Sequence, residues 1–204
     1  MPDPTRPLRP QASPRPQAGF TMVEAMLTIV IIGIVAAIGL PRIDFEGAKV
    51  NSAMRTVALT FAHAQRTAVS LQLDVWVAVD TANRTLRLHE DRNNDGVIQN
   101  NERVSNAPLD DGVLIGTSGA PPLAFGATFA SFTRTQGGLP ALVFHRDGTA
   151  NESGGLYLTT AKAFAQNAAG MVRAQYKQRA VAIDQATGRA YWWTYANGTW
   201  VSGK

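Results

Sequence analysis

A single carboxylate, Glu24, lies near the start of a long apolar run and is the only charged residue between Phe20 and Pro41. An ionised carboxylate inside a bilayer costs about 3 kcal/mol on insertion scales, so it persists where a cationic partner offsets that cost. Cleavage between Gly19 and Phe20 would create an ammonium group one helical turn from Glu24. That ammonium could neutralise Glu24 of the same chain or of a neighbouring copy. The sequence therefore indicates an ion pair that forms only after processing.

A second pattern with definite chemistry, DRNNDGVIQNNE, occupies Asp91–Glu102. It matches the D-x-[DN]-x-[DN]-G-x5-E spacing of calcium loops, in which oxygen atoms surround a hard cation and a glycine makes the turn. The candidate ligands are Asp91, Asn93, Asp95, the Val97 carbonyl, Gln99 through a water, and Glu102. The same residues also fit a polar hairpin loop without metal, because the preceding TLRLH is typical of a strand. Ca²⁺ is thus a candidate cofactor that would brace a surface loop.

No arrangement of catalytic residues is recognisable in the sequence. The three histidines, His63, His89 and His145, are scattered along the chain. Neither a zinc-protease motif nor a nucleophile elbow or phosphate-binding loop is present. The absence of cysteine excludes disulfides, thiolate catalysis and cysteine-bound zinc. We therefore predict that the protein is not an enzyme.

A proline-rich leader and a long helix surround Glu24. Residues 1–19 contain six of the eleven prolines and three arginines, a composition that holds neither a helix nor a core. As a helix, the residues from Phe20 to Pro41 would cover about 32 Å, close to the hydrocarbon thickness of a bilayer. The leader arginines predict a cytoplasmic N terminus and a single-pass anchor with an exported body. A secretory signal peptide cut at Val35–Ala37 is the alternative.

After Pro41 the pattern stays helical but becomes amphipathic. Apolar residues recur at steps of four and three, which places them on one helix face. The members of this stripe are Val50, Met54, Val57, Phe61, Ala64, Ala68 and Leu71. We therefore predict one helix from Phe20 to about Leu71, with a kink or short break at Pro41. Its second half is expected to pack on a C-terminal domain.

From Val75 onward the apolar spacing changes to a period of two. Two runs of this kind flank the turn DTANR and predict a hairpin. Further predicted strands are 113–115, 141–144, 155–159, 180–183 and 190–195. The predicted fold class is therefore α+β, a long N-terminal helix packed on an antiparallel β-sheet domain. The predicted organisation is a leader at 1–19, a transmembrane or filament-core helix at 20–41, its amphipathic continuation at 42–72 and a β-rich domain at 73–204.

The segment GFTMVE, followed by a long apolar run and a proline, resembles the prepilin N terminus of type IV pilins and type II secretion pseudopilins. The resemblance implies cleavage after Gly19 by a prepilin peptidase and N-methylation of Phe20. It implies that Glu24 serves methylation and subunit register in a helical filament, and that Gly33 to Pro41 can unwind during assembly. It also implies a bacterial inner-membrane protein with a periplasmic body, whose partners are other pilins or pseudopilins.

The body resembles the GspH/FimT-type minor pseudopilins. The segments that carry this resemblance are, in chain order, ALTFAHAQRTAVSLQLDVWVAVD, LRLHEDRNNDGVIQNNERV, LVFHRDGTA and RAVAIDQATGRAYWW. The chain lacks the cysteines that many pilins close into a C-terminal loop. The resemblance implies a pilin-like fold. It also implies a minor structural subunit of a type II secretion system or a type IV pilus.

A DNA-binding minor pilin for DNA uptake is the alternative function. From Arg134 to Lys204 the chain has eight basic and three acidic residues, interleaved with tyrosines and tryptophans. Basic charge with aromatic side chains binds single-stranded nucleic acid through phosphate contacts and stacking. The candidate residues are Arg173, Lys177, Arg179 and Arg189. Aromatic side chains at strand spacing are more typical of a core, and GRAYWWTYANGTW lacks the further basic residues expected of DNA-binding members, so we favour the structural subunit.

Overall fold

The computed structural model describes residues 19–39 and 45–203. The chain divides into two compact units, Met1–Ile43 and Asp44–Lys204. Most of the leader and the predicted break at Pro41 lie outside the described residues. In the first unit, one helix, α1, extends over Met22–Gly39. It begins two residues later than the sequence predicted.

Within residues 19–39 and 45–203, no helix has both the length and the apolar character that a membrane crossing requires.

The second unit begins with a long amphipathic helix, α2, at Phe45–Leu71. The predicted stripe is buried, from Val50 through Ala68, and packs against strands of the body. Leu71 is the exception, with 52% of its surface exposed. The helix ends at this residue, and Gln72 turns the chain with a positive φ of 57°. The 3.6-residue period therefore predicted the packing face but not the residue at which it stops.

Within residues 45–203, ten strands form two antiparallel sheets. The strands are β1 Asp74–Asp80, β2 Thr85–Asp91, β3 Arg103–Pro108, β4 Val113–Ile115, β5 Arg134–Gln136, β6 Leu139–Phe144, β7 Gly154–Thr160, β8 Arg179–Ile183, β9 Ala190–Ala196 and β10 Thr199–Gly203. The first five-stranded sheet has the order β3-β2-β1-β6-β5, and the second has the order β10-β9-β8-β7-β4. The α+β class with an antiparallel β-sheet domain is confirmed, and the strands of that domain form two sheets. Local spacing in the sequence does not show which strands pair.

Two short helical segments separate β7 from β8, where the sequence predicted no element. Helix α3 comprises Ala161–Ala168, and a 3-10 helix comprises Val172–Lys177. Thr160 caps α3, because its Oγ1 accepts a hydrogen bond from the Ala163 N–H at 3.1 Å. The threonine before this alanine-rich stretch was the available signal for a helix start.

The core of the second unit lies between α2 and both sheets. Phe61 of α2 is fully buried. Its ring lies 6.1 Å from the Phe132 ring in an edge-on arrangement and 6.2 Å from the Phe144 ring, between ring centroids. Phe144 ends β6 of the first sheet, and Phe132 lies beside Gly154 of the second. One aromatic side chain therefore joins the helix to both sheets.

A polar contact also ties α2 to both sheets. The Gln65 side-chain amide donates to the carbonyl oxygens of Gly148 and Thr187, each at 2.7 Å. Gly148 lies in the turn after β6, and Thr187 lies in the turn between β8 and β9. A side chain at Gly188 would collide with the Gly148 carbonyl, and its φ of 61° also favours glycine. We call these two hydrogen bonds the Gln65 clamp. They depend on the close approach of the turn at Gly148 and the turn at Thr187.

Candidate functional site

Three of the four residues predicted to serve processing and assembly lie in the described chain. Gly19 and Phe20 precede α1, and Phe20 is 78% exposed. Glu24 lies in the first turn of α1. The fourth residue, Pro41, lies outside the described residues. The predicted cleavage position, between Gly19 and Phe20, is therefore exposed and non-helical and lies directly before a helix.

Thr21 is a residue of this site that the sequence reasoning missed. Its Oγ1 accepts a hydrogen bond from the Glu24 backbone N–H at 3.2 Å, and its carbonyl accepts from the Ala25 N–H at 3.0 Å. Thr21 is thus the N-cap of α1, and T-x-x-E is the spacing of a capping box. This explains why the helix starts at Met22. It also places Glu24 where the positive end of the helix dipole favours a carboxylate.

Apart from Glu24 and Thr28, the side chains of α1 whose burial the structure describes are apolar, and nearly all of them are exposed. Examples from different faces are Met22 at 82%, Val23 at 76% and Val35 at 64% exposure. A helix that is hydrophobic on all sides is stable only when lipid or other protein surrounds it. The helix of the first unit therefore presents an apolar surface that requires lipid or other protein around it.

The predicted calcium loop, Asp91–Glu102, is a compact turn in which the carboxylates of Asp91 and Asp95 accept hydrogen bonds from nearby N–H groups. Asp91 accepts hydrogen bonds from the Trp76 indole at 3.0 Å and the Gly96 N–H at 2.8 Å. Asp95 accepts from side-chain amides, those of Asn93 at 2.8 Å and Gln99 at 2.7 Å. Among the described residues, no three acidic or histidine side chains converge as metal ligands would. The flanking elements are strands β2 and β3, as in the hairpin alternative.

Glu102, the last candidate ligand, turns towards the protein interior. Its Oε2 lies 2.8 Å from Nε2 of His89, and its Oε1 accepts from the Arg92 N–H at 3.0 Å. The side chains of His89 and Glu102 are 0% and 1% exposed. The Gln136 amide lies 2.8 Å from the other ring nitrogen, so Nδ1 accepts and Nε2 donates to Glu102. The spacing of His89 and Glu102 in the sequence gave no sign of this buried pair.

Calcium binding by this loop stays a prediction, and its test is thermal unfolding after chelation. Bound calcium would stabilise the folded chain by about 2.7 kcal/mol at a hundredfold excess over Kd. We therefore expect a binding loop to raise the unfolding temperature with added Ca²⁺, and Asp95→Asn to remove the rise. An unfolding temperature that does not change when Ca²⁺ is added would contradict the prediction, because the folded chain would then gain no stability from the ion.

The Glu102 contacts predict a pH-dependent contribution to stability. The His89 hydrogen bond, aided by the Gln99 and Arg92 N–H groups, outweighs burial and lowers the pKa of Glu102 from its ordinary value of 4.5. A lowered folded-state pKa stabilises the fold above pH 4.5, and this contribution is lost as pH falls through the lowered pKa. We expect Glu102→Gln to reduce the free energy of unfolding at neutral pH, by an amount that shrinks in acid. Urea titrations across pH would measure the difference.

Asp111→Asn is the matched control for this pH experiment. The Asp111 side chain is fully exposed and meets Arg84 only at 3.7 Å, so its removal is expected to leave stability nearly unchanged. A Glu102→Gln difference that is constant across pH would show that the carboxylate charge does not contribute.

The basic residues considered for nucleic acid do not form one surface. Arg179 is 6% exposed, and its Nε donates to the Asn51 side chain at 2.7 Å. Arg189 lines a groove beside α2 together with Arg55 and Arg66. The remaining two, Arg173 and Lys177, line a separate cleft beside α3. One of the four predicted cations is thus buried in the fold, and the others belong to two different places.

The C-terminal aromatic side chains pack mainly against each other. Tyr195 is 4% exposed, and its ring lies 5.3 Å from Trp200 and 5.9 Å from Tyr176. Trp200 also lies 6.0 Å from Tyr157, which is fully buried. These contacts support the interpretation that the aromatic residues are structural.

The residues around Gly19 match a known sequence motif. Residues 14–40 match the prokaryotic N-terminal methylation motif. The chain thus carries the methylation motif of type IV pilins, and the match includes Gly19, Phe20 and Glu24. Among solved structures, the minor pseudopilin EpsH from the Type 2 Secretion System of Vibrio cholerae is similar, with a TM-score of 0.43 and 14% identity over 74% of this chain and 99% of that chain. No curated protein matches the sequence significantly.

Proposed function

We propose that this chain is a minor pilin or pseudopilin of the GspH/FimT type, a structural subunit of a type II secretion system or a type IV pilus. A prepilin peptidase cuts it after Gly19, and Phe20 is then N-methylated. The segment 20–41 holds the chain in the inner membrane until the subunit enters a filament in the periplasm. The match of residues 14–40 to the N-terminal methylation motif carries this proposal.

The exposed surface of α1 supports a role in assembly. Its apolar side chains face outwards on all sides, so the helix has to exchange lipid for the helices of neighbouring subunits. Glu24 is the one charge on this helix. A carboxylate buried among apolar helices requires a cation. The new ammonium of Phe20 in an adjacent subunit provides it, and the pairing fixes the register between subunits.

The body supports interaction rather than catalysis. Its buried histidine is paired with Glu102 in the interior. Its long helix α2 buries one face and leaves side chains such as Leu59, which is 65% exposed, available to neighbours. We propose that the body determines which other pilins or pseudopilins accept this subunit.

Mass spectrometry of the mature N terminus tests the proposed function. We expect a chain that begins at Phe20 and is heavier by one methyl group, purified from cells that contain the peptidase. An intact Met1, or a cut near Ala37, would refute the proposal. Ala37→Val serves as the control: it alters the site of the alternative signal peptidase cut and should leave processing at Gly19 unchanged.

A further inference from the structure

A groove in the second unit has α2 on one side and the start of β9 on the other. Its volume is about 510 Å³, within the range of protein binding sites. Along α2 it is lined by Arg55, Leu59, Ala62 and Arg66, whose steps of four and three residues place them on one helix face. The groove therefore follows the helix from Arg55 to Arg66, a length of about 16 Å.

The two ends of this groove are cationic. Arg55 lies at one end, and Arg66 lies with Arg189 at the other. The hydrogen bond from Gln65 to the Thr187 carbonyl, at 2.7 Å, ties these two parts of the chain together. All three arginines are exposed. Of the described residues that line the groove, none is acidic, so the lining carries a net charge of +3.

The arginines of the groove have no carboxylate partner within the described body. Over residues 45–203, the pairs of arginine and carboxylate are Arg84 with Asp111 and Arg103 with Glu90. An exposed guanidinium that is not paired can make a bidentate contact with a carboxylate of another molecule. The groove therefore complements a partner that has acidic groups at both ends of its contact surface.

Between its cationic ends the groove is apolar. Ala58 and Ala62 give α2 small side chains there, so a partner can approach its backbone closely, and Leu59 is 65% exposed. On the opposite side the Trp192 ring is half-buried and packs against the core. Methyl groups favour apolar side chains over nucleic-acid bases, and a ring that packs against the core is poorly placed to stack on bases. The middle of the groove thus suits a protein segment.

We infer that this groove binds an amphipathic helix of another protein, with acidic residues on either side of an apolar stretch. The apolar side chains of that helix lie over Ala58, Leu59 and Ala62, while its carboxylates pair with the arginines at both ends. About three turns of the partner helix match the distance from Arg55 to Arg66. The inference rests on the proposed function, because it names the chemistry of the partner subunit in that assembly.

A synthetic helix tests the groove in the full chain, held in detergent micelles. The acidic peptide has about four turns, leucines along one face and glutamates at both ends of that face. Two control peptides carry glutamine or lysine in place of the glutamates. The indole N–H signal of Trp192 in NMR spectra, identified with Trp192→Phe, reports binding because this ring lines the groove. Trp193 lines a different cleft, so its signal is an internal control.

We expect the acidic peptide to shift the Trp192 signal and to leave the Trp193 signal unchanged. The glutamine peptide should bind at least about tenfold more weakly, because it keeps the apolar contacts and loses the charged ones. The lysine peptide should not bind, since its charge repels the arginines.

Charge reversal in the groove is expected to exchange the preferred peptide. Arg55→Glu with Arg66→Glu should weaken binding of the acidic peptide by at least about tenfold and make the lysine peptide bind instead, because attractive pairs become repulsive. The matched control, Arg92→Glu with Arg146→Glu, changes the net charge equally at two exposed arginines that do not line the groove. It should keep the preference for the acidic peptide.

The outcomes distinguish failure of the groove from failure of the proposed function. Equal binding of the three peptides, or an unchanged preference after charge reversal in the groove, overturns the inference and leaves the proposed function standing. An intact Met1 in the mass spectrum would refute the proposed function, and binding of the acidic peptide would then stand as a property of the body alone. A single-stranded oligonucleotide that shifts the Trp192 signal at lower concentration than the acidic peptide would assign the groove to nucleic acid and overturn the inference.

Discussion

Replacing Glu24 with alanine is expected to leave the body folded and the chain membrane-bound, but to remove it almost completely from the filament. The substitution takes away the one charge of α1, and with it the proposed partner of the Phe20 ammonium. The filament would then have to bury that ammonium without a counter-ion, at a cost of several kcal/mol. Counting the subunit in sheared filaments, against its amount in the membrane, measures the loss.

Two further variants separate the charge of Glu24 from its position in the capping box. Glu24→Gln keeps a side chain that suits the third position of the helix but removes the charge. Thr21→Ala removes the hydroxyl that accepts from the Glu24 N–H and keeps the charge. Loss of incorporation with Glu24→Gln and its retention with Thr21→Ala would support the ion pair. The reverse pattern, or normal incorporation of Glu24→Ala, would refute it.

Replacing Phe61 with alanine is expected to destabilise the body by about 3 to 5 kcal/mol. Phe61 is fully buried and contacts both Phe132 and Phe144, so its removal leaves a cavity between α2 and both sheets. Leu59→Ala is the matched control on the same helix, because Leu59 is 65% exposed. We expect that control to change stability by no more than about 0.5 kcal/mol.

Tryptophan fluorescence in urea measures both variants in the full chain. All four tryptophans, at positions 76, 192, 193 and 200, belong to the second unit, so the signal reports the body alone. Equal urea midpoints for the two variants would show that the packing of Phe61 is not what joins α2 to the sheets.

Periodicity predicted the elements of the body better than their arrangement. The stripe on α2 and the alternation in β1 and β2 are local patterns, so a reader of the sequence can find them. The pairing of β1 with β6 places Val75 opposite Phe144, far along the chain, and no local spacing indicates it. The division into two sheets follows from such distant pairings, which local spacing does not show.

One part of the candidate site follows from the chemistry of a single residue. Glu24 is a candidate because an isolated carboxylate in an apolar helix requires a cationic partner. Thr21 was not predicted, although T-x-x-E is the spacing of a capping box. In the loop at Asp91–Glu102 the same oxygen atoms can bind a cation or accept hydrogen bonds from N–H groups. The sequence is therefore compatible with a calcium loop and with a metal-free hairpin loop. The contact of Glu102 with His89 joins residues thirteen positions apart, and no spacing in the sequence indicates it.

The Gln65 clamp has a mechanical consequence. In the proposed filament the subunit would be held by its N-terminal segment, and tension would reach the body along α2. Gln65 lies near the end of α2, and its side-chain amide donates hydrogen bonds to one turn of each sheet. A pull on the helix is therefore shared by the two sheets and resisted by two hydrogen bonds in parallel. The arrangement opposes peeling one sheet away from the other when the filament bears a load.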